Sequence, residues 1–202
     1  MGNFCDNFSE NARLFQLFKA SEEASIYKLT QTRNRRGKFF IDSTPLPVCK
    51  NVRHATHRTF RGMAQWAHSS VSTTFGLKLH IVIDERQKII GFTLKPGNLH
   101  DVTCAEELLR GRKGIVIGDK GYCSEPLAKR LSSRGLRLIA RRKQNMTPNS
   151  EEEKRLSKKR SIVETIIGKF KNFLGATLSR FRSPQAAFFA ICAGVLAVNF
   201  PL

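Results

Sequence analysis

Three acidic side chains stand where carboxylates can do chemistry. Asp42 ends the apolar run Phe39, Phe40 and Ile41, and Asp119 ends a predicted strand over Ile115 to Ile117. Glu164 lies in a basic helical stretch, with Ile162, Val163, Ile166 and Ile167 around it. Open sheets usually place active sites at the carboxyl ends of strands. An acid in apolar surroundings is costly unless it is paired, hydrogen-bonded or metal-bound. Three hard oxygen ligands can hold two Mg²⁺ ions. One ion would activate an attacking hydroxyl and the other would stabilise a leaving 3′ oxygen. Arg160 lies one helical turn before Glu164 and Lys171 two turns after it, so all three can share a face. Each acid also has a structural reading. Asp42 suits a turn before Pro45, Asp119 a cap beyond its strand, and Glu164 an ion pair with Arg160. Spacing alone leaves both sets of readings open.

The acids need a frame to bring them together. FFIDSTPLPVCK opens as a short strand, Phe39 to Ile41, expected to stop near Pro45 and Pro47. FGLKLHIVID alternates Leu77, Leu79, Ile81 and Ile83, and with KIIGFTLKPG it predicts two strands joined by a hairpin at ERQ. Asp101 reads as the N-cap of the helix VTCAEELLR. The strand before Asp119 runs into the Gly-bracketed turn GDKGY. SEPLAKRLSSRG reads as a helix opened by Ser124 and closed by Gly135, and LRLIA as a further strand. One long helix is expected from about Glu151 to Leu174, and Pro184 suits the first turn of the last helix. Antiparallel strands followed by helical crossovers imply an α/β or α+β layer fold with a mixed sheet.

Lys and Arg number 35 against 16 Asp and Glu, a formal charge of +19. A domain this basic needs an anionic partner, and nucleic acid is the commonest. The apolar share of 41% suffices for a core and argues against a simple polybasic membrane anchor. The tail from Ala186 to Phe200 fits a buried last helix better than a membrane span. Five scattered cysteines without a CxxC read as reduced thiols, not as a disulfide framework or zinc site. Residues 50–72 read as basic and irregular, with His54, His57 and His68, while His80 follows in a strand. No zinc spacing joins these histidines. Arg58, Arg61 and Trp66 are expected on a loop that meets DNA. There Trp66 either stacks on an opened base or anchors the loop to the core.

At the acidic blocks the chain resembles a known family. FFIDSTPLPVCKN is similar to the first catalytic block of bacterial insertion-sequence DDE transposases, particularly the insertion-sequence family numbered 982. FGLKLHIVID, PGNLHDV and IGDKGY match the middle blocks, and RSIVETIIGKFKN the last. That last block carries the arginine–glutamate–lysine signature at Arg160, Glu164 and Lys171. The tyrosine usual three residues before the arginine is Ser157 here. The resemblance runs from roughly Lys38 to Asn199. It implies an RNase H-like mixed five-stranded sheet flanked by helices, with Asp42, Asp119 and Glu164 as catalytic metal ligands. It further implies two Mg²⁺ ions, for which Mn²⁺ can substitute. DNA contacts are expected from Arg58, Arg61, Trp66, Lys120, Arg160 and Lys171, with orientation of Glu164 as the alternative role of Arg160 and Lys171.

The partners implied are double-stranded DNA, namely element inverted-repeat ends and target DNA, with a homodimer in the DNA complex and no membrane. The location implied is bacterial cytoplasm, nucleoid-associated when DNA-bound. Residues 1–37 read as a remnant helical segment, Asn11 to Leu29, with a basic connector, and residues 38–202 as the catalytic domain. Only 37 residues precede Lys38, so an N-terminally truncated chain is expected, with poor recognition of specific ends. The competing functions are a catalytically idle DNA-binding remnant and a metal-dependent nuclease that uses water in place of a DNA 3′ hydroxyl.

Overall fold

The computed structural model describes residues 36–68, 72–141 and 150–200. The helix expected over Asn11 to Leu29 and most of the loop expected after Arg141 lie outside them. The central strand β1 (Arg36–Pro47) pairs antiparallel with β3 (Thr73–Asp84) on one side and parallel with β5 (Lys113–Gly118) on the other. β6 (Leu136–Ala140) extends the parallel half beside β5. Two strands share the outer edge of β3. β2 (Gln65–His68) pairs with Thr73 to Gly76, and β4 (Ile89–Pro96) with Leu77 to Ile83. An antiparallel hairpin side and a parallel crossover side thus meet at β1, the architecture that the resemblance implies.

Both faces of the sheet are covered, which is why Phe39, Phe40 and Ile41 form an uninterrupted apolar run. Phe40, Leu46, Leu79, Ile81 and Ile117 pack beneath α4 (Ser161–Leu174) and α5 (Pro184–Asn199). Phe39, Ile41, Val82 and Val116 pack beneath α1 (Val102–Leu108) and α2 (Glu125–Ser132). Asn199, the polar residue of the last helix's apolar tail, is buried. Its amide donates to the Ile89 carbonyl at 2.8 Å and its carbonyl accepts from the Ile89 amide at 2.7 Å. That exchange fixes the end of α5 to the start of β4.

Four expectations change. β1 ends at Pro47, near the expected stop, but it is longer than the short strand expected, starting at Arg36 and taking Pro45 within it. Pairing with β5 ends at Ile41, so the prolines sit where β1 has β3 on one side only, and a missing N–H is tolerated there. Residues 50–72 are not wholly irregular. Trp66 sits in β2 opposite Phe75, and the two rings meet edge-on at 5.4 Å. Among the described residues the sheet therefore has six strands, where five were expected. The helix expected from Glu151 to Leu174 is two helices, α3 (Glu151–Lys158) and α4. No proline or glycine breaks it. The ladder tightens to three-residue bonds, from Lys159 N–H to Leu156 and from Arg160 N–H to Ser157, where three cations adjoin.

The fourth change is at Asp101. Ser124 and Ser183 cap α2 and α5 as their types predict, accepting from the Leu127 and Ala186 amides. Asp101 occupies the cap position of α1 but makes no capping bond. Its carboxylate is engaged elsewhere.

Candidate active site

Asp42 lies one residue past the point where β5 stops pairing with β1. Its neighbour on one side has ended, so Asp42 sits beside a notch in the sheet. Asp119 directly follows β5, on the rim of the same notch. Above them α4 begins, with Glu164 in its first turn and Arg160 at its N-cap. The break between α3 and α4 makes Arg160 a helix-end residue, free to reach down over the sheet.

Arg160 joins the three acids. One guanidinium nitrogen lies 3.0 Å from Asp119 Oδ1 and 3.9 Å from Asp42 Oδ2. The other lies 2.6 Å from Glu164 Oε1. The two aspartates are therefore closer than the sum of two ion-pair distances, and the glutamate is about one guanidinium width further on. Three carboxylates from three separate sequence blocks converge on one cation.

Asp42 is the most withdrawn of the three, with 16% of its side chain exposed. Burial raises its pKa from 3.8 to about 6. The Ser43 amide, donating to Oδ1 at 2.8 Å, and Arg160 hold the value down, while Asp119 and Asp101 push it up. The site thus contains a carboxyl group whose ionised form is poorly solvated, despite the Ser43 amide and Arg160.

Beside the acids is a cleft of about 470 Å³, lined by Asp119, Arg160 and Glu164 and by Arg141, Lys154 and Lys158. The last three are bases that the sequence motifs did not single out. Ser157, at the family's tyrosine position, also lines the cleft. Its buried hydroxyl has no hydrogen-bond partner among the described residues.

The family profile described as the transposase DDE domain matches residues 32–184. The chain belongs to that family. Its structure is similar to that of piggyBac transposase in a synaptic complex with hairpin DNA, with a TM-score of 0.61 and 13% sequence identity. The similarity covers 96% of this chain and 51% of that one, so this chain spans about half the length of that transposase. At that identity the likeness shows the fold, a mixed α/β RNase H-like one. Comparison with curated proteins gives no match.

The middle blocks of the DDE domain form a support behind Asp42, on the opposite face of the sheet. Asp101 Oδ1 accepts from Ser43 Oγ at 2.8 Å and from Lys78 Nζ at 3.2 Å. The backbone amide of that same Ser43 holds Asp42. GDKGY closes around this contact. A Cβ on Gly121 would lie 2.7 Å from Asp101 Oδ2, and one on Gly118 would lie 3.0 Å from the buried Tyr122 side chain. The glycines of the turn therefore make room for an acid and an aromatic ring. Asp101 was legible only as a cap, because its partners are 58 and 23 residues away. Asp101→Ala should destabilise the fold by about 2 kcal/mol, since it leaves the largely buried Lys78 ammonium without its carboxylate. Urea denaturation measures this, and an unchanged midpoint would mean that Asp101 holds nothing in place.

The other predicted contact residues are placed unevenly. Lys120 is exposed in the turn directly after Asp119, while Lys171 is half-buried further along α4 and does not line the cleft. Burial lowers the Lys171 pKa. Arg58 and Arg61 are exposed in the segment before β2, at the far edge of the sheet. Trp66 is partly buried between His54 and Phe75, which matches the anchoring reading of this ring. His80 is fully buried, and burial lowers its pKa to about 4, so it is neutral at physiological pH. Cys49 is a buried free thiol.

The donor chemistry fits a divalent ion: three carboxylates meet, and a cation already stands among them. As arranged around the guanidinium they are not drawn together at ligand distances. Among the described residues no three His, Cys, Asp or Glu side chains form such a cluster. No helix among the described residues is long and apolar enough to cross a membrane.

Proposed function

We propose that this DDE domain cuts and joins DNA at the ends of an insertion-sequence type mobile element, with Asp42, Asp119 and Glu164 as the ligands of divalent metal. The observation that carries this reading is the convergence of three acids from separate blocks beside a basic cleft. Bound Mg²⁺ or Mn²⁺ would supply the charge that activates a hydroxyl nucleophile and stabilises the leaving 3′ oxygen. The chain's own groups do the rest. Asp42 and Asp119 hold the floor of the site from two adjacent parallel strands. Glu164 closes it from the helix above. Arg141 and Lys158 face the cleft, where they would hold the phosphate backbone as positive charges. Asp42 has to be ionised to act as a ligand, so acid conditions that protonate its carboxyl would empty the site. Element inverted-repeat ends and target DNA are the proposed substrates, and a second copy of the chain is the proposed partner in the DNA complex.

The test is cleavage of linear DNA carrying the element's own ends against a scrambled duplex, with Mg²⁺, Mn²⁺ or chelator. Strand cleavage should require metal and fall by roughly 10²–10³-fold or more in Asp42→Ala, as for a group acting on the transition state. Cleavage that survives in chelator or in Asp42→Ala would refute the assignment. DNA binding with no cleavage under any condition would favour an idle DNA-binding domain.

A further inference from the structure

We propose that Arg160 is a built-in counter-cation of the carboxylate site, holding the three acids together without metal, and that its guanidinium has to leave for the cleft when a divalent ion binds. This rests on the reading of Asp42, Asp119 and Glu164 as metal ligands and assigns their arginine a role distinct from simple phosphate contact.

The geometry carries the inference. Arg160 makes ion pairs with all three acids. A guanidinium and a divalent ion cannot both occupy the space between three carboxylates. Arginine cannot be deprotonated in proteins, so it makes way only by moving. Two features permit movement. Arg160 sits at the junction of α3 and α4, where the helical ladder is already interrupted, so a side-chain swing does not unwind a helix. Its side chain is 26% exposed and lines the cleft of about 470 Å³, which gives the guanidinium somewhere to go.

The destination makes the exchange a coupled one. The cleft already holds Arg141 and Lys158, besides a Lys154 paired with Glu151, so a further cation moving in among them is unfavourable until an anion arrives. A DNA phosphate is such an anion. DNA in the cleft would draw the guanidinium off the acids, and metal on the acids would push it toward the DNA. Thermodynamic linkage makes the two effects reciprocal. The arginine would thereby oppose stable metal occupancy in the free protein and favour it in the DNA complex.

The experiment is Mn²⁺ binding by the full chain, read by the loss of the free-ion electron paramagnetic resonance signal, with and without a short duplex. The proteins are the wild type, Arg160→Gln, Arg160→Lys and Asp119→Asn, each checked for folding by circular dichroism. Without DNA, Arg160→Gln should bind Mn²⁺ about tenfold more tightly than the wild type, because its competitor is gone. Arg160→Lys, which keeps a cation, should stay close to the wild type. Duplex should tighten Mn²⁺ binding in the wild type and have a much smaller effect in Arg160→Gln. If Arg160→Gln binds Mn²⁺ equally or more weakly, while Asp119→Asn abolishes binding, then Arg160 orients the acids and the counter-cation role is overturned. If neither the wild type nor Arg160→Gln binds Mn²⁺, or Asp119→Asn leaves binding intact, the metal-site reading falls and this inference with it.

Discussion

In chelator at pH 8, Asp42→Asn should be more stable than the wild type by about 3 kcal/mol, and the difference should vanish below about pH 4. The cause is burial, which lifts Asp42 from 3.8 to about 6. Between those values the folded state binds more protons than the unfolded state, so wild-type stability falls as pH rises through the window. Below it, Asp42 is neutral in both states and resembles asparagine. Above it, the folded protein carries an ionised, poorly solvated carboxylate that asparagine lacks. The substitution keeps an oxygen for the Ser43 amide, which now donates at 2.8 Å, so the comparison isolates the charge. Thermal or urea unfolding over pH 3.5–8 measures the difference. Adding Mn²⁺ at pH 8 should then stabilise the wild type selectively, narrowing or reversing the order. A stability difference constant with pH would show that the Asp42 charge is not the source of strain.

Such a group costs the folded protein stability when it is ionised, and its position could be read before the fold was known. Asp42 and Asp119 each end an apolar run, and in a sheet with parallel strands two such runs bring their ends together. The hairpin from β3 to β4, the cap at Ser124 and the first-turn Pro184 of the last helix were equally legible, because turn and cap chemistry depends on neighbouring residues. What escaped the sequence depends on distant ones. Pro45 and Pro47 read as terminators, and β1 does end at Pro47, yet Pro45 lies inside the strand, harmless where β5 has already ended. The break at Lys159 and Arg160 has no proline or glycine to announce it, and it accompanies an arginine turned toward acids on two strands. Asp101 carried a correct local signal for a helix start, but its carboxylate found stronger partners in Ser43 and Lys78. The family signature marked Arg160, Glu164 and Lys171 as one set. The fold separates them, placing the first two at the cleft and leaving Lys171 outside its lining.

That separation predicts which cations matter for DNA. The double substitution Arg141→Gln with Lys158→Gln should weaken binding to any duplex by roughly 50- to 100-fold at about 0.1 M salt and reduce the slope of log affinity against log salt by about 2. Each cation that neutralises a phosphate releases counterions, so two lost contacts remove about 0.9 each from the slope. Lys154 is left out of the pair because Glu151 already holds its ammonium at 2.7 Å. Lys171→Gln is the internal contrast. It removes one positive charge from the same protein, but from a half-buried position outside the cleft, so its effect on the slope should be well below 1. The losses should be alike for element ends and scrambled DNA, because phosphate contacts position a duplex without reading its sequence. Fluorescence anisotropy across a salt series in chelator measures both numbers without interference from cleavage. If Lys171→Gln lowers the slope as much as either cleft substitution, DNA runs along α4 and not through the cleft. The phosphate path through Arg141 and Lys158 would then be wrong.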